Sequence, residues 1–108
     1  MAGRLRRGDV FLCHFDRPDK QRPVVILTRD ISIGRLSQVT VAPITSTIRS
    51  VPSEVVLDIA DGMKAPCVVN LHNAVTVPHR RLLRRVAHLS PERMQQVCAA
   101  LRFSLECG

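Results

Sequence analysis

From Val10 to Leu89 the apolar residues fall in short, β-branched runs broken by polar or Gly- and Pro-containing stretches, and only after Ser90 does their spacing become helical. That single change of period constrains the fold more than any motif, because strands need apolar side chains at every second position and helices at every third or fourth. Gly8 to Phe15 alternates loosely, with Phe11, Cys13 and Phe15 on one face and Val10, Leu12 and His14 on the other, which predicts a strand buried on one side and partly on both. Pro23 to Thr28 is a solidly apolar run of the kind expected in a central strand. Further strands are predicted at Val39–Ile44, after a loop around Ile33 and Gly34, and at Val55–Leu57 and Cys67–Leu71, which the turn signal Asp61-Gly62 separates. Short segments follow at Val75–Val77 and Val86–Leu89, with a helical turn at His79–Leu83 between them. Ser90 then supplies a capping hydroxyl and Pro91 a first helical residue, and Met94, Val97, Cys98, Leu101 and Leu105 make one apolar stripe. Strands first and a helix last predict an α+β chain, mostly β, with a compact antiparallel sheet and a C-terminal amphipathic helix.

The 108 residues suffice for one domain, expected to span 1–108. Aromatic residues are only 3% of the chain, with neither Trp nor Tyr, so the core must be assembled from Val, Leu, Ile and Ala. No apolar run approaches the ~20 residues of a membrane span, and the basic N-terminus runs into Gly8-Asp9 and not into a leader's apolar stretch. These features predict a cytoplasmic protein with no membrane association. A net charge of +7 favours polyanionic partners, although charge alone does not separate an RNA enzyme from a ribosome-associated module. The four cysteines lack C-x-x-C spacing and read as small buried hydrophobes, neither a disulfide framework nor a zinc knuckle. Glycine-rich nucleotide loops, H-E-x-x-H and paired acids for Mg²⁺ are absent from the sequence, so neither a metal nor a cofactor is expected.

Two places join polar chemistry to rigid strand ends. At Arg22-Pro23 a guanidinium stands at the entry of an apolar strand, its backbone fixed by the proline; it is either a surface cation or a phosphate fork. At Thr45-Ser46-Thr47 and Arg49, hydroxyls and a cation leave a strand together, as a Ser/Thr turn or as a phosphate cradle. His14, Lys20 and Asn73 are additional candidates for contact with a polyanion. Nothing in the spacing pairs two histidines for acid–base work, and the Arg80 to Arg85 run reads as solvated surface, with RNA backbone contact as the lesser alternative.

Taken in order, these segments resemble the MazF/PemK/Kid toxin family. Arg7-Gly8-Asp9-Val10 is similar to the family's opening R-G-D strand, Arg22-Pro23-Val24-Val25-Ile26 to its R-P-V strand, and Val41-Ala42-Pro43-Ile44-Thr45-Ser46 to its P-I-T segment. Pro52-Ser53-Glu54-Val55 and Leu89-Ser90-Pro91-Glu92-Arg93-Met94 resemble the strand that follows and the start of the last helix. The resemblance implies an SH3-barrel-like sheet, a homodimer, a cognate antitoxin and metal-independent, sequence-selective cleavage of single-stranded RNA. It also implies that Arg22 and Thr45 act at the scissile phosphate, with Ser46, Thr47, Arg49, His14, Asn73 and Lys20 as RNA contacts. The chain departs from the pattern in a short loop before Arg22 that lacks the family's Glu, in Cys67 where Ser is common, and in His72-Asn73 where an acid–Gln pair is usual. Asp16 and Asp19 lie near that loop without matching a motif position, so no general base is assigned. The short loop and the many arginines resemble mycobacterial members of the family. A gyrase poison of the same fold, like the CcdB toxins, is the alternative; such a binder has no need of the Arg22 and Thr45 pair.

Overall fold

The computed structural model describes residues 5–16 and 21–105, so Lys20, Asp19 and Cys107 lie outside the described residues. Seven strands are formed: β1 (Asp9–His14), β2 (Gln21–Ile26), β3 (Gln38–Thr45), β4 (Glu54–Leu57), β5 (Cys67–Asn70), β6 (Val75–Pro78) and β7 (Leu82–His88). A four-residue helix, α1 (Asp30–Ile33), falls where the sequence suggested only a loop. The long helix α2 (Pro91–Leu105) closes the described chain. Ser90 caps α2 through its hydroxyl, which accepts from the Arg93 amide at 3.2 Å, and Pro91 takes the first helical position where no amide hydrogen is needed.

The sheet is antiparallel throughout and runs β4-β5-β3-β2-β1-β7, with β6 also paired to β3. β3 is its hub. One edge meets β2, with Val24 opposite Pro43 and Ile26 opposite Val41. The other edge pairs Gln38–Val41 with β6 and then Ile44 and Thr45 with β5. The change of partner falls at Ala42 and Pro43, where the chain between β5 and β6 turns through a 3₁₀ segment at Leu71–Asn73. A proline is tolerated in this central strand because the ladder is interrupted there.

Alternation along β1 and β2 divides the core in two. Val10 and Val25 face a cluster with Ala42, Val55, Leu57, Val69 and Leu71, which α2 covers through Val97 and Ala100. Phe11, Val24 and Ile26 face a second cluster with Cys13, Val39, Val41 and Val77. The expectation of strands buried on both faces therefore holds. The helical stripe needs one correction. Leu105, placed on it by spacing, is 62% exposed, and Ala100 is buried in its stead, packed with Val97 in the first cluster.

β7 also differs from expectation. It begins at Leu82, four residues earlier than predicted, and the turn before it is confined to His79–Arg81. Its pairing with β1 slips twice, leaving Leu83 and Val86 as extra residues without a partner. The two strands are fastened at Asp9, which is fully buried: its carboxylate accepts from the Arg6 amide at 2.9 Å, pairs with Arg85 at 3.1 Å and meets His88 Nδ1 at 2.7 Å.

Burial pushes the Asp9 carboxyl toward protonation, but hydrogen bonds from Arg85, His88 and the Arg6 amide outweigh it and hold the pKa below the usual carboxylate range. A lowered native pKa stabilises the fold above the unfolded pKa, and that stabilisation is lost as pH falls through the native value. Urea unfolding should therefore show stability declining below about pH 4, with a shallower decline in Asp9→Asn. At neutral pH Asp9→Ala is expected to cost roughly 2–4 kcal/mol by leaving its partners unmatched at a buried site.

Candidate active site

The register of β2 on β3 decides which polar groups meet. The two strands pair as far as Val24 opposite Pro43, and two residues further along each stand Arg22 and Thr45. Both line one open cleft of about 580 Å³ at this end of the sheet, together with Gln21, Pro23, Ile44 and Ser46. Leu12 of β1 and Arg84 and Val86 of β7 continue the floor, and the segment from Gly62 to Cys67 makes the facing wall.

Local chemistry fixes each wall. Pro23 restricts the backbone beside Arg22, a half-buried residue, so its side chain leaves from a rigid strand start. Thr45 Oγ1 accepts from the Thr47 amide at 3.3 Å, a Ser/Thr turn that leaves the hydroxyl's own hydrogen to donate into the cleft. The facing wall begins with a 3₁₀ turn at Ile59–Asp61, capped reciprocally by Asp58 and Asp61. Gly62 follows at φ 94, and a Cβ there would stand 3.0 Å from Ala87, so only glycine fits this bend. Arg93 of α2 reaches across to Asp61 at 3.0 Å and ties the wall to the helix. For Asp61, as for Asp9, burial raises the pKa, but the Arg93 hydrogen bond and charge and the Asp58 amide bring it below the usual range.

The cleft's thiol is Cys67. Burial pushes its pKa up, and the nearby carboxylates of Asp61 and Asp58 push it further, so the group is a neutral thiol and not a nucleophile. Cys13, buried under β1, is likewise raised to about 11 by burial, against a smaller opposing effect of Arg81. Cys13 and Cys67 are buried free thiols and Cys98 is half-buried, in keeping with cysteine used for packing. Among the described residues no three His, Cys, Asp or Glu side chains converge on a point that a metal could occupy.

The PemK-like, MazF-like toxins of type II toxin–antitoxin systems match residues 6–105. The chain belongs to this family. It is 39% identical over 103 residues to the probable endoribonuclease MazF5 of Mycobacterium tuberculosis, covering 94% of each chain. Its fold is similar to that of the M. tuberculosis toxin MazF-mt6, with a TM-score of 0.86, 33% identity and 93% and 98% of the two chains covered. A mycobacterial endoribonuclease solved with its cognate antitoxin matches with a TM-score of 0.87 at 22% identity, over 96% and 97% of the two chains, and shares the fold. The gyrase-poison alternative is not favoured by this family membership.

Within this toxin fold the residues singled out from sequence separate into two groups. Arg22, Thr45 and Ser46 line the cleft. Thr47 and Arg49 lie on the exposed loop beyond β3; there the Glu54 carboxylate accepts from the Arg49 and Ser50 amides at 3.0 Å, and Ser50 adopts φ 59. His14 ends β1 beside Gln21 and Asn73 sits in the 3₁₀ turn after β5; both are exposed and neither lines the cleft. Their placement outside it follows from strand geometry: His14 ends the strand past the cleft floor, and Asn73 belongs to the turn that joins β5 to β6.

The arginine run is not uniform solvated surface. Arg81 reaches the His14 carbonyl at 3.4 Å and pairs with Asp16 at 3.4 Å. Arg85 pairs with Asp9 and lies 5.4 Å over the Phe11 ring. Arg84, between them, lines the cleft. Sequence reasoning missed Lys64 and did not separate Arg84 from the rest of its run. Simple alternation would have set Arg84 apart from Arg85, but the bulges at Leu83 and Val86 hide which side each residue takes. These positions predict unequal mutational costs. Arg85→Ala should destabilise the protein by about 2 kcal/mol, because Asp9 stays buried without its cation. Arg81→Ala, which breaks an exposed pair, should cost under about 1 kcal/mol. Thermal unfolding of the two variants compares them directly.

Proposed function

We propose that this toxin-family chain is an endoribonuclease that cuts single-stranded RNA in the cleft holding Arg22 and Thr45. The observation that carries the reading is the meeting of those two residues, from separate strands, in one cleft of positive character. In this reading the ribose 2′-hydroxyl attacks the adjacent phosphorus while the bond to the 5′-oxygen breaks, leaving a 2′,3′-cyclic phosphate and a 5′-hydroxyl. Arg22 stabilises the charge that develops on the phosphate, and Thr45 donates its free hydrogen to a phosphate oxygen. Preorganised donors of this kind supply a large share of a barrier reduction. Ser46 adds a further hydroxyl at the same wall, and Thr47, Arg49, His14, Asn73 and Lys20 are proposed contacts for RNA extending out of the cleft.

The same reading carries a homodimer, a cognate antitoxin that neutralises the toxin, and action in the cytoplasm, where RNA is met. Solved relatives bound to their antitoxin support the partnership. No helix of the described residues is long and apolar enough to cross a membrane. The replaced Ser and acid–Gln positions, Cys67 and His72-Asn73, support a cleavage sequence or RNA class of this chain's own, such as the loops of tRNA or rRNA as well as mRNA.

Arg22→Ala and Thr45→Ala are each expected to lower cleavage at least ~100-fold with folding retained, and Thr45→Ser to restore part of it. Activity should persist in EDTA. The direct test incubates purified protein with total RNA in EDTA and maps new 5′ ends by their hydroxyl chemistry. Discrete cuts with 5′-hydroxyl ends support the reading. Intact RNA from a folded, antitoxin-free protein overturns it and makes gyrase inhibition the next assay.

A further inference from the structure

Arg84 is the cleft residue that the proposed chemistry does not use. It pairs with Leu12 of β1, and on the other side of Leu12 stands Pro23 of β2, one residue from Arg22. Arg84 therefore shares its face of the sheet with Leu12 and Pro23, whereas Arg22 pairs with Cys13 and starts from the other face. Both arginines line the same open cleft, from strands separated by two interstrand spacings, about 10 Å of backbone. Val86 continues the same apolar floor. A cation beside an apolar floor, in a cleft that also holds Arg22, matches the repeat of a single-stranded nucleic acid, in which charged phosphates alternate with nucleosides that carry flat, largely apolar faces.

The other cations of the neighbourhood are committed elsewhere: Arg81 to Asp16, Arg85 to Asp9 and Arg93 to Asp61. Among the described residues no carboxylate is paired with Arg84. Lys64 also lines the cleft, but from the loop wall, whereas Arg84 is fixed by its place on a strand. A strand-mounted guanidinium that lines a cleft is suited to hold an anion of the ligand.

We propose that Arg84 is a positioning residue that binds a phosphate neighbouring the scissile one, with the intervening nucleoside resting on Leu12 and Val86. This rests on the reading that the cleft cuts RNA. Arg84 then contributes to affinity and to the register of the strand, and carries little base information, since a phosphate contact is the same at every sequence.

The test uses the wild-type protein, Arg84→Gln and Arg84→Lys, with an oligoribonucleotide centred on the cleavage site mapped in total RNA. For binding, the scissile nucleotide carries a 2′-deoxyribose so that it is not cut. Binding of each protein is followed from about 50 to 200 mM salt, and cleavage of the unmodified oligonucleotide gives kcat and KM. Arg84→Gln is expected to weaken binding and raise KM about tenfold, the worth of one charge-assisted contact. The slope of log affinity against log salt should fall by about 0.7, the value for one phosphate on a single strand. Arg84→Lys, which keeps a point charge, should recover most of both, and the cut sequences should be unchanged in either variant. An unchanged salt slope, a changed cleavage sequence, or a loss confined to kcat overturns the proposal, the second by making Arg84 a reader of bases. Failure of the wild-type protein to cut RNA is a different result, which removes the parent reading and not the Arg84 assignment alone.

Discussion

The pairing of β2 with β3 is the constraint on which the rest of the molecule depends. With Val24 opposite Pro43, alternate residues of both strands point to opposite faces, and each face is closed by its own cluster of buried side chains. A slip of one residue would send Val25 and Ala42 to the wrong cluster and separate Arg22 from Thr45. The register is secured by hydrophobic burial, since Val24, Val25, Ile26, Val41 and Ala42 are all fully enclosed. The packing that stabilises the fold therefore also sets the geometry of the cleft, which helps a site whose proposed chemistry depends on positioning.

A second set of constraints acts at the other edge. Asp9 brings the chain before β1 and two residues of β7 to one buried carboxylate. Its contacts hold β7 beside β1 despite two bulges, and the bulges distribute neighbouring arginines to different surroundings. Gly8, at φ 92, permits the close approach: a Cβ there would lie 3.3 Å from Met94 and 3.5 Å from the His88 ring. The Arg-Gly-Asp stretch at the start of β1 is thus explained by structure, a bend without a side chain followed by a buried anchor.

Much of this was legible in the sequence because it depends on local periodicity. The Val-rich runs marked β1 to β6 within a residue or two, and the Ser90-Pro91 cap marked α2. Arg22 and Thr45 were legible as polar groups at the ends of apolar strands, but their proximity depends on strand pairing, which no single run encodes. What stayed hidden had non-local causes. α1 is four residues long and too short for a helical period to appear. Ala100 is a weak apolar signal whose burial depends on the cluster packed against it, and the sides taken by Arg84 and Arg85 depend on bulges set by contacts with β1.

The shortage of aromatic side chains bears on how such a cleft can hold RNA. Single-strand binders usually stack bases on aromatic rings, and the phenylalanines seen here are the buried Phe11, Phe15 at the end of β1 and Phe103 on the exposed side of α2, none of them in the cleft. The cleft floor is instead aliphatic, with hydroxyls and cations around it. Aliphatic contact with a base is less directional than stacking, so register along the strand must come from the polar groups. A single cation would let the phosphate chain slide or pivot about it. In the proposed binding mode two cations on strands of fixed separation, with the Thr45 hydroxyl in the same cleft, set both a point and a direction. On this argument the rigid sheet does in this toxin what aromatic platforms do in other single-strand binders, and Arg84 of β7 is as much a part of the cleft as the better marked strand ends of β2 and β3.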